Sequence, residues 1–144
     1  MPDSRLRKIY EAASDLFINS GYSRTQVSDV ARRAGVSVGA VYSLFPGKRT
    51  ILEFLFQCTL EPGFPERDLE LPLRPDTFSH LDSQIREAFS ENSTRYSTPL
   101  QTGQSYHYRQ MLSDAFDIVE RYAVGCLLIE KNPRDCGEWV NYYN

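Results

Sequence analysis

The stretch AGVSVGAVYSLF, residues 34–45, places two glycines and small side chains ahead of a bulky apolar ending. Two short helices joined by a tight turn can pack at a steep angle only where their crossing point is small. Ala31 offers a methyl group at that point, and Gly35, four residues later, can take a positive φ in the turn at little cost. Val36 and Val41 then return to the core. This spacing predicts a helix-turn-helix, a motif that binds DNA.

Apolar residues recur at helical spacing through the first 60 residues and predict four helices. The first helix covers residues 5–20 and the third covers residues 38–44. Gly21 follows the first helix at the position where a left-handed residue usually ends a helix. Each helix has a candidate N-cap, in chain order Ser4, Thr25, Ser37 and Gly47. The apolar stripe of the fourth helix comprises Ile51, Leu52, Leu55, Phe56 and Thr59.

The composition changes at residues 62–75, which hold four of the eight prolines. No helix is expected there, so this segment predicts a linker at 61–75 between a domain over 1–60 and a domain over 76–144. Two further helices are predicted, separated by a break around STPLQTGQ at 97–104. The stripe of the first comprises Phe78, Leu81, Ile85, Phe89, Asn92 and Tyr96. The second runs from about Tyr106 to Glu130, with a stripe of Leu112, Ala115, Val119, Ala123, Cys126 and Leu127. KNPRDCG ends it, and EWVNYYN predicts the opening of one more helix. The fold class is therefore all-α.

The net charge of −3 conceals an asymmetry along the chain. Residues 1–60 carry eight Lys/Arg and five Asp/Glu, a net of +3, whereas residues 61–144 carry eight and fourteen, a net of −6. A basic part joined to an acidic part favours two roles in one chain, although chance can produce such a difference in a short sequence.

No apolar run approaches the roughly 18 residues that span a membrane, and the start of the chain lacks the apolar region of a signal peptide. Cys58, Cys126 and Cys136 are not closely paired and are expected to be free thiols in a reducing compartment. We therefore expect a soluble, cytoplasmic protein without a membrane partner.

The sequence contains few features that would indicate an enzyme. It contains no phosphate loop, no nucleophile elbow and no cysteine pair at metal-ligand spacing. Asp114, Asp117 and Glu120 are spaced as a solvated helix face rather than as an acid/base pair. We expect no catalytic activity, no metal and no cofactor.

The segment GYSRTQVSDVARRAGVSVGAVYSLFPGKRTIL resembles the N-terminal domain of TetR-type transcriptional regulators, over about residues 5–60. The matching positions are Gly21, Tyr22, Thr25, Val30, Ala31, Ala34, Gly35, Val36, Ser37, Gly39, Tyr42, Phe45, Lys48 and Leu52. The departures are Ser43-Leu44 at a step that usually bears a histidine and Gly47 at a usual serine cap. The resemblance implies a three-helix, homeodomain-like helix-turn-helix domain followed by a helical domain for ligand binding and dimerisation.

The resemblance also implies DNA contacts that the chemistry of the residues supports. Hydroxyls and backbone N–H groups at helix N-termini bind phosphate, which predicts phosphate contacts for Thr25 and Ser37. Tyr42 would place its hydroxyl on a phosphate, the alternative being a core role. Lys48 lies in the first turn of the fourth helix, where the helix dipole disfavours cations, and a bound phosphate would offset this unfavourable interaction. The expected base contacts come from Val38, Gly39, Ala40 and Ser43. Arg32 and Arg33 could flank the duplex or form a solvated face.

For the second domain, the resemblance implies an inducer pocket and a homodimer. The candidate lining residues are Phe89, Tyr96, Tyr108 and Phe116, although aromatic residues at helical spacing are more often core. The predicted function is a ligand-responsive repressor that binds a palindromic DNA operator as a dimer. The alternative is a ligand-binding or interaction module that keeps the helix-turn-helix only as a fold. Because members of that family usually continue into two further helices, this chain is expected to be either a fragment or a protein that has lost part of its dimerisation surface, and its ending EWVNYYN favours truncation.

Overall fold

The computed structural model describes residues 2–102 and 108–143, and in that part of the chain the regular structure is entirely helical. The α-helices are α1 (Arg5–Leu16), α2 (Val27–Ala34), α3 (Val38–Leu44), α4 (Lys48–Leu60), α5 (Leu81–Thr102), α6 (Tyr108–Lys131), α7 (Pro133–Cys136) and α8 (Trp139–Tyr143). A π-helical turn at Phe17–Gly21 continues α1, and short 3₁₀ turns occupy Phe64–Glu66 and Pro75–Phe78. The prediction of an all-α fold is confirmed.

The N-terminal helices follow the predicted boundaries closely, while one of the predicted caps is wrong. Ser4 occupies the N-cap position of α1 as predicted, but its side chain makes no capping bond, and the Asp3 carboxylate accepts from the backbone N–H of Arg5 at 3.0 Å. Thr25 does not cap α2, because its hydroxyl turns back and donates to the carbonyl of Gly21 at 2.7 Å. The N-cap is Gln26, whose backbone N–H donates to the Asp29 carboxylate at 2.8 Å.

Helix α4 forms the centre of the molecule. All residues from Thr50 to Thr59 except Glu53 are buried. The buried surface of α4 therefore extends beyond the predicted stripe to nearly all sides of the helix. The Phe54 ring meets Phe45 with centroids 5.1 Å apart, and the Phe56 ring meets Trp139 of α8 at 4.5 Å. Helices on both sides of α4 therefore bury their apolar side chains against it.

The proline-rich segment packs as part of the core. Phe64, Pro65 and Leu73 are buried, and the backbone N–H of Leu73 donates to the carbonyl of Leu44, the last residue of α3, at 2.8 Å. The Arg7 guanidinium also binds Glu66, with Nε 2.7 Å from a carboxylate oxygen. The segment contains 3₁₀ turns but no α-helix. The division into two domains at this segment stays a prediction.

The second half differs from the prediction in two respects. Helix α5 runs to Thr102, past Pro99, so it does not break at 97. A proline costs a helix one hydrogen bond and about 3 kcal/mol, which neighbouring turns can absorb without ending the helix. Most of the predicted stripe of α6 does not face the core either, Ala123 and Cys126 being half-buried exceptions. Leu112, Val119 and Leu127 are 42%, 64% and 39% exposed, while α6 buries Gly125, Leu128 and Ile129 on the opposite side. Tyr106 lies outside the described residues.

Candidate nucleic-acid interface

A glycine turn between α2 and α3 fixes the angle between these two helices. Gly35 has φ +72°, which side chains disfavour, and the backbone N–H of Val36 donates to the Ala31 carbonyl at 3.0 Å. Ala31 and Val41 are 2% and 1% exposed, as expected for the crossing point and for the residue that anchors α3. The turn therefore holds α3 rigidly on the core by one face.

The other face of α3 carries the residues predicted to contact DNA. Ser37 caps the helix as predicted, its hydroxyl accepting from the Ala40 N–H at 3.0 Å. Val38 is 41% exposed and Tyr42 is 52% exposed, so Tyr42 is not a core residue. The Ser43 hydroxyl is exposed and donates to the Ala40 carbonyl at 2.6 Å. All four side chains are thus exposed along α3 and at its N-cap.

Gly39 is exposed within this surface, and the fold itself does not require a glycine at this position. Its φ does not lie in the left-handed region, and a Cβ there would come no closer than 4.0 Å to another atom, the Ser37 hydroxyl oxygen. Alanine would be accommodated and would favour the helix by up to about 1 kcal/mol. A glycine at this position suits a surface that another molecule approaches closely.

Lys48 lies beside Tyr22 at the N-terminal end of α4. Its ammonium donates to the Tyr22 carbonyl at 2.8 Å and lies 4.2 Å from the centroid of the Tyr22 ring. These contacts offset part of the cost of a cation at a helix N-terminus, so a phosphate is not required to explain it. An ammonium has three N–H donors, and the carbonyl takes one of them. Burial raises the pKa of the Tyr22 hydroxyl, which keeps the ring neutral.

Tyr22 itself is held by a residue that is distant in the sequence. The side chain of Asn132, between α6 and α7, is buried and accepts from the Tyr22 N–H at 2.8 Å. The same amide donates to the Phe17 carbonyl at 2.9 Å. Asn132 therefore clamps both ends of the π-helical turn that precedes the helix-turn-helix. Sequence reasoning missed it, because no local pattern links residues so far apart in the chain.

Thr25 differs from the other predicted phosphate contacts. It is 2% exposed, and both its hydroxyl and its backbone N–H donate to carbonyls of the preceding turn, those of Gly21 and Tyr22. The geometry gives Thr25 a role in shaping the turn and leaves it no free donor for phosphate. Leu44, at the step where the family pattern has its histidine, is buried and equally withdrawn from the surface.

The arginines near the helix-turn-helix are exposed and mostly paired. Arg33 forms an ion pair with Asp15, and Arg32 lies 3.7 Å from Asp29. Arg49 donates to the Asp135 carbonyl and lies over the Trp139 ring, so it fastens the C-terminal helices to α4. These pairs favour the solvated-face interpretation of Arg32 and Arg33.

Phe89 and Phe116, the two predicted ligand residues whose side chains are described, do not share a pocket. An apolar cavity of about 20 Å³ lies between α4, α5 and α6, and Phe89 lines it together with Phe56, Thr59, Leu60, Ile85, Ala88, Tyr122, Gly125 and Cys126. Phe116 is 70% exposed and stands outside this cavity. The side chains of Tyr96 and Tyr108 lie outside the described residues. A cavity of this size holds about one water molecule, well below the roughly 300 Å³ of a typical ligand site.

Comparison with known proteins agrees with this geometry. Residues 9–55 match the family model of bacterial regulatory proteins, tetR family. The HTH-type transcriptional regulator SrpR of Pseudomonas putida is 36% identical over 70 residues, which cover 49% of this chain and 30% of that protein. The Fatty acid metabolism regulator protein of Bacillus subtilis (strain 168) is 40% identical over 50 residues, 35% of this chain and 26% of that protein. The uncharacterized HTH-type transcriptional regulator TtgW, also of Pseudomonas putida, is 34% identical over 70 residues, 49% of this chain and 48% of that protein.

These matches span between a quarter and a half of each relative's length. No solved structure matches the chain significantly. The N-terminal part is thus a helix-turn-helix domain, and over residues 9–55 it is similar to the DNA-binding domain of the tetR family of bacterial regulatory proteins. Within residues 2–102 and 108–143, no helix has the length and apolar character needed to cross a bilayer.

Proposed function

We propose that this chain is a transcriptional regulator that binds double-stranded DNA through the exposed face of α3 and the adjacent Lys48. The observation that carries the proposal is the exposed start of α3, with Gly39 at its centre, on a helix whose other face is anchored by Val41 and Leu44. A rigidly held helix with a small, uncovered N-terminal end fits the major groove. The family match over residues 9–55 supports the same role.

In this proposal the phosphate contacts come from Ser37, Tyr42 and Lys48. Tyr42 has an exposed hydroxyl and Lys48 retains N–H donors that the Tyr22 carbonyl does not use. Val38, Gly39, Ala40 and Ser43 approach the base edges, so discrimination would rest on apolar and backbone contacts together with one hydroxyl. Thr25 contributes indirectly, by fixing the turn before α2.

The finer proposal is a ligand-responsive repressor acting as a dimer on a palindromic operator in the cytoplasm, without catalytic activity. The cavity of about 20 Å³ would have to open for an inducer to enter, which requires α5 or α6 to move away from α4. Asn132 follows the last turn of α6 and holds Phe17 and Tyr22. A displacement of α6 would therefore reach the turn in front of the helix-turn-helix and the carbonyl that orients Lys48.

The test is DNA binding measured by fluorescence anisotropy at several salt concentrations. A duplex selected from a random pool serves as probe, because the operator is unknown. We expect the affinity to fall steeply as salt rises, with a slope that reports about 0.9 counterions per phosphate contact. Tyr42→Phe and Lys48→Ala should each weaken binding and should leave helicity measured by circular dichroism unchanged.

Arg86→Ala is the matched control, since it removes an exposed cation from α5, away from the proposed interface. Its binding should equal that of the unmodified chain. Failure to select any duplex at low salt would contradict DNA binding and favour a ligand-binding or interaction module. Equal affinities for Lys48→Ala and Arg86→Ala would contradict the assignment of Lys48.

A further inference from the structure

Helix α3 contains none of the side chains that usually recognise bases by paired hydrogen bonds. Its sequence is VGAVYSL, without arginine, lysine, asparagine, glutamine, aspartate or glutamate. In the major groove, arginine or lysine recognises guanine, asparagine or glutamine recognises adenine, and a carboxylate accepts from cytosine. A helix of this composition has to discriminate between base pairs by other contacts.

Val38 is the apolar side chain that α3 offers for such a contact. It is 41% exposed, whereas Val41 and Leu44 are each 1% exposed and hold the helix on the core. The apolar residues of this short helix therefore serve two different surroundings. Val38 keeps a large part of its isopropyl group in water, on the same helix as the exposed Tyr42 and Ser43.

The short side chains of α3 can contact bases only if the helix backbone comes close to them. The Val38 and Ser43 side chains both end at their γ atoms, and Gly39 has no side chain. A Cβ at Gly39 would meet nothing closer than the Ser37 hydroxyl oxygen at 4.0 Å, so the space beside it is open. A close approach through this space would bring the methyl groups of Val38 to the base edges.

The Ser43 hydroxyl leaves the discrimination to this apolar contact. It donates its proton to the Ala40 carbonyl, with the two oxygen atoms 2.6 Å apart, so only its lone pairs remain for a base. These lone pairs can accept from the amino group of adenine or of cytosine, and a single acceptor does not distinguish the two. Ser43 therefore narrows the choice of base without completing it.

We propose that Val38 recognises a thymine in the DNA site, by packing against the C5 methyl group of that base. The inference rests on the proposed function and names the base chemistry that its surface recognises. Thymine presents this methyl group in the major groove, whereas adenine, guanine and cytosine present hydrogen-bonding groups at that edge. An isopropyl group packed on those groups would leave a donor or acceptor without a partner, so the contact disfavours the other bases as well as favouring thymine.

The same methyl group is present in 5-methylcytosine. Because the contact is with the methyl carbon and not with the thymine carbonyl, a methylated cytosine in place of that thymine should be bound better than an unmethylated one. Binding through α3 would then respond to methylation of a single cytosine. A surface that recognises bases by hydrogen bonds alone would not gain affinity from an added methyl group.

The experiment measures binding by fluorescence anisotropy, with the duplex selected from a random pool as the parent probe. Each thymine is replaced in turn by deoxyuridine, which pairs with adenine in the same way and lacks only the C5 methyl group. At one position of the DNA site we expect the dissociation constant to rise about fourfold, the effect of burying about one methyl group. The thymine at that position is the one assigned to Val38.

Two variants of α3 assign this sensitivity to a residue. Val38→Ala should bind the parent duplex more weakly and should no longer distinguish thymine from deoxyuridine. Tyr42→Phe is the matched control, because loss of a phosphate contact weakens binding to all duplexes alike and leaves the ratio of the two affinities unchanged. Both side chains are exposed, so both variants should fold, which circular dichroism checks.

Cytosine at the assigned position should weaken binding, and 5-methylcytosine there should recover most of the loss. Duplex binding that no deoxyuridine weakens would overturn the inference and leave the proposed function standing. The same holds for a sensitivity that persists in Val38→Ala, or for a cytosine whose methylation changes nothing. A chain that binds no duplex at any salt concentration overturns the proposed function, and this inference with it.

Discussion

Helix α6 and the helices of the first 60 residues have the same apolar spacing, but the apolar residues are buried in the first 60 residues and mostly exposed in α6. In α1 and α4 the periodic apolar residues are buried, for example Leu6, Ile9 and Leu55, each 0% exposed. In α6 the periodic residues face outward, and the helix meets the core through Gly125, Leu128 and Ile129. The comparison shows that periodicity identifies an apolar face of a helix without identifying what covers that face.

The largest expected effect comes from replacing a leucine by alanine in the core, compared with the same replacement on the exposed side of α6. Leu73→Ala removes a side chain that is 0% exposed in the proline-rich segment, and it should destabilise the chain by about 2–5 kcal/mol. Leu112→Ala, on the exposed side of α6, should change the free energy of unfolding by less than about 0.5 kcal/mol. Urea unfolding at low chain concentration keeps self-association out of the measurement. Equal losses at both positions would show that Leu112 is covered within one chain.

A second effect tests the clamp that joins the two regions. Asn132→Ala leaves the Tyr22 N–H and the Phe17 carbonyl without their partners, and it should destabilise the fold by about 2–4 kcal/mol. Hydrogen exchange should increase first in the π-helical turn. Asn141→Ala, an exposed asparagine on α8, is the control and should have little effect. A stability loss no greater than in this control would mean that water replaces the clamp.

The smallest effect compares two helical glycines whose replacement by alanine should act with opposite sign. In Gly125→Ala the new Cβ would lie 2.9 Å from the Thr59 methyl group, and Thr59 is buried with its hydroxyl bonded to the Leu55 carbonyl at 3.1 Å. We expect destabilisation of about 1–3 kcal/mol by thermal unfolding, relieved by Thr59→Ser.

The corresponding change at the DNA face meets open space. Gly39→Ala should stabilise α3 by up to about 1 kcal/mol and still weaken DNA binding, because the methyl group fills the surface that approaches the duplex. Stability and affinity would thus move in opposite directions in one variant. Higher stability with unchanged affinity would place Gly39 outside the interface.

The helix-turn-helix was predictable because its rules are local. A serine cap, a left-handed glycine and a proline after Phe45 fix the ends of α3 within a few residues, and the structure has α3 at Val38–Leu44 as predicted. The prediction was wrong at Thr25 because its hydroxyl can bond either forward to α2 or backward to Gly21. Sequence spacing does not distinguish the two directions.

The second half was less predictable because its contacts are not local. Burial of Leu73 depends on its fit beneath α3, and the outward orientation of Phe116 depends on which side of α6 meets α4. The residues of the candidate site also differ in whether their positions depend on local or on distant contacts. Spacing predicted Ser37 as the cap of α3, and the exposure of Tyr42 agrees with the contact that the family resemblance implied, whereas the clamp by Asn132 joins residues more than 100 positions apart.

The Asn132 clamp also has a consequence for biosynthesis. A ribosome releases the helix-turn-helix first, yet the Tyr22 N–H finds its partner only when residue 132 has emerged. During translation the π-helical turn must therefore rely on water for these bonds, and the N-terminal helices remain incompletely fastened until the whole of α6 has been made. Stalled nascent chains with residue 132 inside the ribosome and with residue 132 outside it should differ in how readily a protease cuts near Tyr22.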